Sequence, residues 1–266
     1  MCKVIVITSG KGGVGKTTAV ANIGSALACY KNKVVLIDTD IGLRNLDVIL
    51  GLEEKITFDI VDVAEGICDV RQALVNHPAM PTLFMLPAAQ TRDKESVSPD
   101  KMREIINQLK DDFDYILIDC PAGIEQGFKN AVAGADSAIV VTNPEVSAVR
   151  DADRVIGLLA QYDIPAPKLL INKIRPRMVK RGDMMSVDDI VEVLGIDLLG
   201  LLPDDESIIK AGNIGSPVID MPSVSAAAYK NAAKRIMGAD VEFLPIERSK
   251  RRLFFNLFLK KGGLYI

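Results

Sequence analysis

The stretch GKGGVGKTT at residues 10–18 constrains the fold of this 266-residue chain more than any other segment. It follows KVIVIT at residues 3–8, whose run of β-branched side chains predicts a buried strand. An alanine-rich segment from Thr18 to Ala28 comes next, and its apolar residues recur at helical spacing. A G-x-x-x-x-G-K-T sequence between a strand and a helix predicts a phosphate-binding loop, whereas a plain glycine-rich turn is the less specific alternative.

The glycines allow successive backbone N–H groups of this loop to converge on one anion, and the following helix adds the positive end of its dipole. Lys16 is expected to reach the β- and γ-phosphates of a nucleotide, and the Thr17 hydroxyl to bind Mg²⁺. The residues predicted to contact the nucleotide in this loop are Gly12, Gly13, Val14, Gly15, Lys16, Thr17 and Thr18.

Carboxylates end two further apolar runs. Asp38 and Asp119 each close a predicted strand, and we predict both as Mg²⁺ ligands because the carboxyl ends of parallel strands form the ligand edge of a sheet. Asp40 is predicted to face the γ-phosphate, although aspartate also favours ordinary turns at strand ends. Gly123 lies in a Pro-Ala-Gly segment after the second strand, where its amide is expected to sense the γ-phosphate.

Strands and helices alternate along the rest of the chain. Further strands are predicted at 83–86, 137–142, 168–172 and 198–202, helices at 98–109, 146–161, 186–194 and 223–237, and helical turns at 58–64 and 69–75. Residues 173–181 are predicted as a basic loop near the nucleotide, with DNA contact as the alternative. This order predicts an α/β fold with a doubly wound, mostly parallel sheet and helices on both faces. We assign residues 1–240 to this P-loop domain.

The C-terminal residues 241–266 are predicted as a linker followed by an amphipathic helix. Residues 246–266 carry a net charge of +5, which leaves −8 on the body of a chain whose formal net charge is −3. On a helix, one narrow polar stripe would face a broad apolar surface that includes Leu253, Phe254, Leu257 and Phe258. The segment is too short to span a bilayer and suits binding to an anionic membrane surface, with a docked C-terminal helix or an exposed apolar end as alternatives.

Two further patterns limit the functional classes. The acidic body argues against nucleic acid as a partner. The four cysteines are scattered without a C-x-x-C pair, which argues against zinc and redox motifs and for a reducing, cytoplasmic compartment. The first strand begins almost at the N-terminus, and we expect no signal peptide.

Lys11 is not required by a minimal phosphate loop, and with it the loop resembles the deviant Walker A motif of the MinD/ParA-type ATPases. The resemblance extends to DTDIGLRNLD, DCPAGIE, TNPE, VRDADR, RGDM and the basic, aromatic tail, at residues 38–47, 119–125, 142–145, 149–154, 181–184 and 246–266. Together these segments are most similar to the septum-site branch of that family.

The resemblance implies a P-loop, nitrogenase iron protein-like ATPase that uses ATP and Mg²⁺ and helps to position the bacterial division septum. It implies an ATP-dependent homodimer in which Lys11 crosses to the partner's phosphates, while Lys16 and Asp40 act in hydrolysis and Asp40 positions the attacking water. Asn172, Pro203 and Asp204 are implied to frame the adenine. The implied surface for a MinC-type division inhibitor and a MinE-type activator comprises Arg150, Asp151, Asp153 and Arg154.

By this resemblance the protein would be peripheral on the inner face of the cell membrane. Three alternatives remain at this stage: a flagellar-number regulator of the same superfamily, a ParA-type partition ATPase, and a non-enzymatic nucleotide-binding scaffold. A nitrogenase iron protein itself is disfavoured because Cys120 has no second cluster ligand at suitable spacing.

Overall fold

The computed structural model describes residues 1–92 and 96–245. Its centre is an eight-stranded sheet in the order β3-β4-β2-β5-β1-β6-β7-β8. The strands are β1 (Lys3–Thr8), β2 (Val34–Asp38), β3 (Val75–Asn76), β4 (Leu83–Leu86), β5 (Tyr115–Asp119), β6 (Ser137–Thr142), β7 (Lys168–Ile174) and β8 (Leu198–Pro203). Neighbouring strands pair in parallel except for β3 and β4, which pair antiparallel. The predicted doubly wound, mostly parallel sheet is therefore confirmed.

Helices cover both faces of the sheet, as predicted. They are α1 (Lys16–Cys29), α2 (Leu46–Leu50), α3 (Ile60–Ala64), α4 (Val70–Ala73), α5 (Pro99–Leu109), α6 (Gln126–Val132), α7 (Val146–Gln161), α8 (Pro176–Arg181), α9 (Val187–Leu194), α10 (Glu206–Asn213) and α11 (Val224–Ile236). Short 3-10 turns occupy Glu53–Lys55 and Val218–Asp220.

The alternation of side chains along β1 shows how one strand serves two cores. Val4 and Val6 belong to a buried apolar cluster with residues of α5, α7 and α9, while Ile5 and Ile7 belong to a second cluster with residues of α1 and α11. A strand that is buried on both faces needs apolar residues at every position, which is why the sequence pattern identifies these strands as continuous runs.

The register of the central strands brings the predicted site residues to one edge of the sheet. Asp119 at the end of β5 lies opposite Ile7 of β1 on one side and opposite Asp38 of β2 on the other. The chain therefore leaves β1, β2 and β5 at adjacent points of the same carboxyl edge. In doubly wound sheets this edge forms the crevice in which ligands bind.

Three local predictions were wrong or incomplete. Val75 was predicted within helical turns, but it lies in the two-residue strand β3. The predicted basic loop at 173–181 is instead the end of β7 followed by α8, which starts with a proline at its first turn and ends at Gly182 in the left-handed conformation. Helices α2, α6 and α10 were not predicted.

The C-terminal end of the described chain folds back onto β8. The Arg235 guanidinium donates hydrogen bonds to the carbonyl oxygens of Leu199 at 2.9 Å and Val241 at 2.7 and 3.0 Å, and lies 3.9 Å from the centre of the Phe243 ring. The domain boundary at residue 240 stays a prediction. The predicted membrane-binding residues Leu253, Phe254, Leu257 and Phe258 lie outside the described residues. Within residues 1–92 and 96–245, no helix is long and apolar enough to cross a bilayer.

Candidate nucleotide site

The phosphate loop connects β1 to α1 at the carboxyl edge. Gly13 and Gly15 adopt left-handed conformations with φ of 76° and 99°, which glycine adopts without strain. The first helical hydrogen bond runs from the Ala19 N–H to the Gly15 carbonyl at 3.0 Å. Gly10 packs directly on α7, because a Cβ atom at this position would overlap the backbone of Asp151.

Lys16 is the buried cation of the loop, with only 8% of its surface exposed. Its charge lowers the pKa of Asp119, which shows that the ammonium lies close to the end of β5. The predicted phosphate-binding lysine and the predicted metal-binding aspartate are thus brought together. Thr17 stands beside them, and its hydroxyl lowers the pKa of the same carboxyl group.

Asp38 and Asp119 are each 1% exposed, and burial is the main reason why their pKa values are raised. The pKa of Asp38 rises to about 7, although hydrogen bonds from the backbone N–H groups of Asp40 at 2.9 Å and Leu46 at 3.4 Å oppose the shift. The charge of Asp38 raises the pKa of Asp119 further, while Thr17 and Lys16 lower it. Asp38 therefore anchors both ends of the loop 40–46, which leads into α2.

This carboxylate pair fits a divalent cation that is shared with a phosphate group. The Oδ1 atom of Asp119 is buried and has no hydrogen-bond partner in the described structure. Oxygen ligands of this kind, together with the Thr17 hydroxyl, suit Mg²⁺. Within the described ranges, no group of three or more His, Cys, Asp or Glu residues is placed to hold a metal ion.

Lys11 lies on the opposite side of the loop and contacts the start of α7. Its Nζ atom is 3.3 Å from Glu145 Oε2 and 3.4 Å from Ser147 Oγ. The side chains of Lys11 and Glu145 are 44% and 51% exposed. Exposed pairs of this kind contribute little to stability, so the lysine is free to exchange partners.

The end of β7 contacts the phosphate loop from outside. Asn172 Nδ2 donates to the Val14 carbonyl at 2.8 Å, and Lys173 Nζ donates to the Gly13 carbonyl at 2.7 Å. The sequence placed Lys173 in a basic segment near the nucleotide but did not predict its contact with Gly13, which lies 160 residues away. Asp204 follows Pro203 at the end of the neighbouring strand and pairs with Arg175 at 2.5 Å. The adenine role of Asn172, Pro203 and Asp204 stays a prediction.

Two further predicted features lie around the loop. Gly123 has a φ of 96° in the segment between β5 and α6, and the neighbouring Ala122 side chain would be 3.7 Å from a Cβ atom on Gly12. This segment therefore passes beside the phosphate loop. On α7, Arg150, Asp153 and Arg154 are exposed and Asp151 is half-buried.

Comparison with known proteins decides the family. A family model described as an AAA domain matches residues 2–163. The septum site-determining protein MinD of Bacillus subtilis is 54% identical over 260 residues, which is 97% of each chain. The chain belongs to the MinD family. The MinD assignment predicted from the sequence motifs is thereby confirmed.

Solved structures of MinD proteins show the same fold. The MinC:MinD cell division protein complex from Aquifex aeolicus matches with a TM-score of 0.85 and 46% identity, covering 92% of this chain and 99% of that chain. The MinD protein from Pyrococcus horikoshii complexed with Mg-ADP matches with a TM-score of 0.82 and 29% identity, covering 91% and 100%. As a MinD protein, this chain is an ATPase that acts in positioning the division site.

Proposed function

We propose that this chain binds ATP and Mg²⁺ at the phosphate loop, dimerises in the ATP form, and thereby attaches to the anionic inner face of the cell membrane. There it recruits a MinC-type division inhibitor, and a MinE-type activator, where one exists, stimulates release. The observation that carries this proposal is the convergence of Lys16, Thr17 and Asp119 at one edge of the sheet. A cytoplasmic pool and a peripheral membrane pool of the protein follow from the cycle.

Each part of the site has a distinct role in the proposed reaction. The loop amides of residues 12–18 and the Lys16 ammonium hold the phosphates, and Thr17 with Asp119 and Asp38 holds Mg²⁺. When bound, Mg²⁺ neutralises charge that develops between the β- and γ-phosphates. Asp40 follows the anchored Asp38 carboxylate, and this position supports its role in orienting the attacking water. The Gly123 segment lies beside the loop, as a γ-phosphate sensor requires.

The surface around the site supports dimerisation through the nucleotide edge. Leu43, Ile124 and Val146 are 63%, 49% and 66% exposed, and they lie on the segments that follow β2, β5 and β6. Apolar side chains grouped around a charged crevice favour a protein partner. Lys11 Nζ makes exposed contacts with Glu145 and Ser147, and it is therefore available to reach the phosphates of a second copy.

The exposed charges of α7 support the proposed partner surface. Arg150, Asp153 and Arg154 project from a helix whose other face is buried against the sheet, so they have no role in packing. The Aquifex relative is described as a MinC:MinD complex. We assign the surface of α7 that carries these residues, with Asp151, to a MinC-type inhibitor and a MinE-type activator.

The proposed membrane cycle depends on how many copies of the C-terminal tail, residues 246–266, one assembly carries. One amphipathic segment with basic flanks binds an anionic surface weakly and reversibly. Two segments in a dimer bind at a high effective concentration, so residence on the membrane lengthens. ATP hydrolysis separates the copies and returns each one to the weak regime.

Co-sedimentation with anionic vesicles tests this proposal in ATP, in ADP and without nucleotide. The wild-type chain should sediment mainly in ATP. A chain that ends at Pro245 should form an ATP-dependent dimer that stays in solution, and Lys11→Ala should keep its tail but lose ATP-dependent binding. Lys129→Ala removes an exposed cation on α6 and serves as the control. Equal sedimentation in ATP and ADP, or full binding by the shortened chain, would refute the proposal.

A further inference from the structure

Lys173 occupies an unusual backbone position for a residue in a strand. Its φ is 55°, in the left-handed region that residues with a Cβ atom adopt only at a cost. The pairing of β7 with β8 is irregular between Ile171 and Ile174, so the strand bulges at this point. Bulges of this kind redirect a side chain, and here the redirected side chain is a lysine.

The redirected lysine and its neighbour both contact the phosphate loop. Lys173 Nζ is 2.7 Å from the Gly13 carbonyl oxygen, and Asn172 Nδ2 is 2.8 Å from the Val14 carbonyl oxygen. The two residues are also joined to each other, because the Lys173 N–H donates to Asn172 Oδ1 at 2.8 Å. We call this pair, Asn172 and Lys173, the β7 clip.

The clip acts on two consecutive peptide units of the loop. A trans peptide group is planar, and its carbonyl and N–H point in opposite directions. The Gly13 carbonyl shares a peptide group with the Val14 N–H, and the Val14 carbonyl shares one with the Gly15 N–H. Holding both carbonyls on the outside therefore directs both N–H groups to the inside, where a phosphate oxygen would accept them.

Because of its glycines, the phosphate loop depends on contacts from other segments to keep this arrangement. Gly13 is exposed and left-handed, and without a side chain it has no packing that would fix its peptide planes. Gly15 leaves room for the clip, since a Cβ atom there would overlap Asn172 Nδ2. The flexible part of the loop is thus the part that the clip contacts.

We propose that Lys173 is a positioning residue for the phosphate loop, which holds the Gly13–Val14 peptide so that the Val14 N–H faces the nucleotide phosphates. This inference rests on the proposed nucleotide site. Because Lys173 acts on the loop rather than on the γ-phosphate, its contribution is the same for ATP and ADP. Lys16 and the metal-binding aspartates keep their separate roles.

Calorimetric titration of the full-length protein with MgATP and MgADP tests the proposal in three variants. Lys173→Met removes the ammonium, Lys173→Arg keeps a charged donor, and Lys180→Met removes an exposed cation of α8 that has no hydrogen bond or ion pair among the described residues. We expect Lys173→Met to weaken the affinity for both nucleotides equally, by about 5- to 20-fold, which is near the lower limit for the loss of one charged hydrogen bond because Lys173 is exposed. Lys173→Arg should restore most of the affinity, and Lys180→Met should bind like the wild type. Thermal unfolding without nucleotide shows whether each variant is folded.

Three outcomes overturn the proposal. Affinity of Lys173→Met within twofold of wild type would show that the clip does not position the loop. A loss confined to MgATP would make Lys173 a γ-phosphate contact, and an equal loss in Lys180→Met would reduce the effect to general charge. If the wild-type protein bound neither nucleotide, the proposed function would fail together with the inference, whereas a normal wild type beside an unaffected Lys173→Met overturns the inference alone.

Discussion

The phosphate loop meets Asp38 and Asp119, which we call the carboxylate edge, at one crevice. The two differ in how their polar groups are satisfied. The loop is supported from outside, since its carbonyls at Gly13 and Val14 already accept hydrogen bonds from Lys173 and Asn172. On the carboxylate edge, Asp38 accepts two backbone hydrogen bonds, but Asp119 Oδ1 is buried without a hydrogen-bond partner in the described structure, and burial raises the pKa of Asp119.

The contrast shows which half of the site is ready before a ligand arrives. Satisfied polar groups fix the loop in a shape that suits an anion. Two buried carboxylates side by side are unfavourable without a cation, because desolvation and mutual repulsion both disfavour the charged forms. The phosphate half is therefore preformed, and the proposed Mg²⁺ with its nucleotide would complete the metal half.

The largest effect is expected in the preformed half. Lys16→Ala should lower the affinity for both ATP and ADP at least about 100-fold, because the buried ammonium contributes two charged hydrogen bonds of about 1.5–3 kcal/mol each. Isothermal titration calorimetry measures the change, with Lys129→Ala as a control for the lost charge. Unchanged affinity would remove Lys16 from the phosphate site.

Asp40 tests the catalytic part of the carboxylate edge. Asp40→Ala should bind ATP normally but hydrolyse it roughly 100-fold more slowly or worse, since a group that positions or activates water contributes about that factor. Phosphate release in the presence of vesicles and activator measures the rate. Asp111→Ala, which removes an exposed carboxylate before β5, is the control. Normal turnover in Asp40→Ala would contradict the assignment.

Asp119 tests whether the metal half is destabilised without its cation. Its raised pKa means that the unfolded chain gives up this proton at a lower pH than the folded chain does. The wild-type apo protein therefore loses stability as pH rises above the unfolded pKa of about 3.9 towards the raised folded value. Asp119→Asn removes this cost, and we expect its melting temperature without ligand to exceed that of wild type by about 3–6 °C at pH 8.

The difference between Asp119→Asn and wild type should be smaller at pH 5 than at pH 8, because the raised pKa of Asp119 lets the folded wild-type chain bind this proton more readily as the pH falls. The same variant should gain no further stability from Mg²⁺ in the presence of ATP, in contrast to wild type. Calorimetric scans at the two pH values, with and without MgATP, measure both effects. A melting temperature of Asp119→Asn below that of wild type at pH 8 would show that the ionised Asp119 carboxylate does not destabilise the folded apo protein.

The smallest effect is expected at the exposed lysine of the loop. Glu145→Gln breaks the pair with Lys11, and we expect the free energy of unfolding in urea to change by less than about 0.5 kcal/mol. ATP-dependent dimers should still form, as measured by light scattering. A loss of more than about 1 kcal/mol would mean that the loop needs this contact as well.

The sequence predicted the sheet well because its central strands are buried on both faces and appear as unbroken apolar runs. It predicted that the glycine-rich loop, Asp38 and Asp119 follow strand ends at one edge of the sheet, because their residue types stand at fixed distances from those strand ends. It did not predict β3, which has two residues and therefore no periodicity, or α6, whose Gly127 weakens the helical pattern and packs closely on Pro121.

The contacts between distant segments could not be predicted from the sequence. Lys173 reaches Gly13 only because β7 bulges, and the bulge is a property of its pairing with β8. The approach of Lys11 to Glu145 likewise depends on how α7 lies against β6. Local patterns carry information about which residues are buried, but not about which side chains meet across the edge of the sheet.

The close contact between Gly10 and α7 couples the position of the phosphate loop to that of this helix. No side chain separates the first residue of the phosphate loop from the Asp151 backbone of α7, because there is no space for one. Close-packed groups of this kind have little compressibility and shift together when one of them is displaced. A protein that binds the exposed face of α7 and displaces this helix would therefore also displace the phosphate loop, because no side chain lies between Gly10 and the Asp151 backbone.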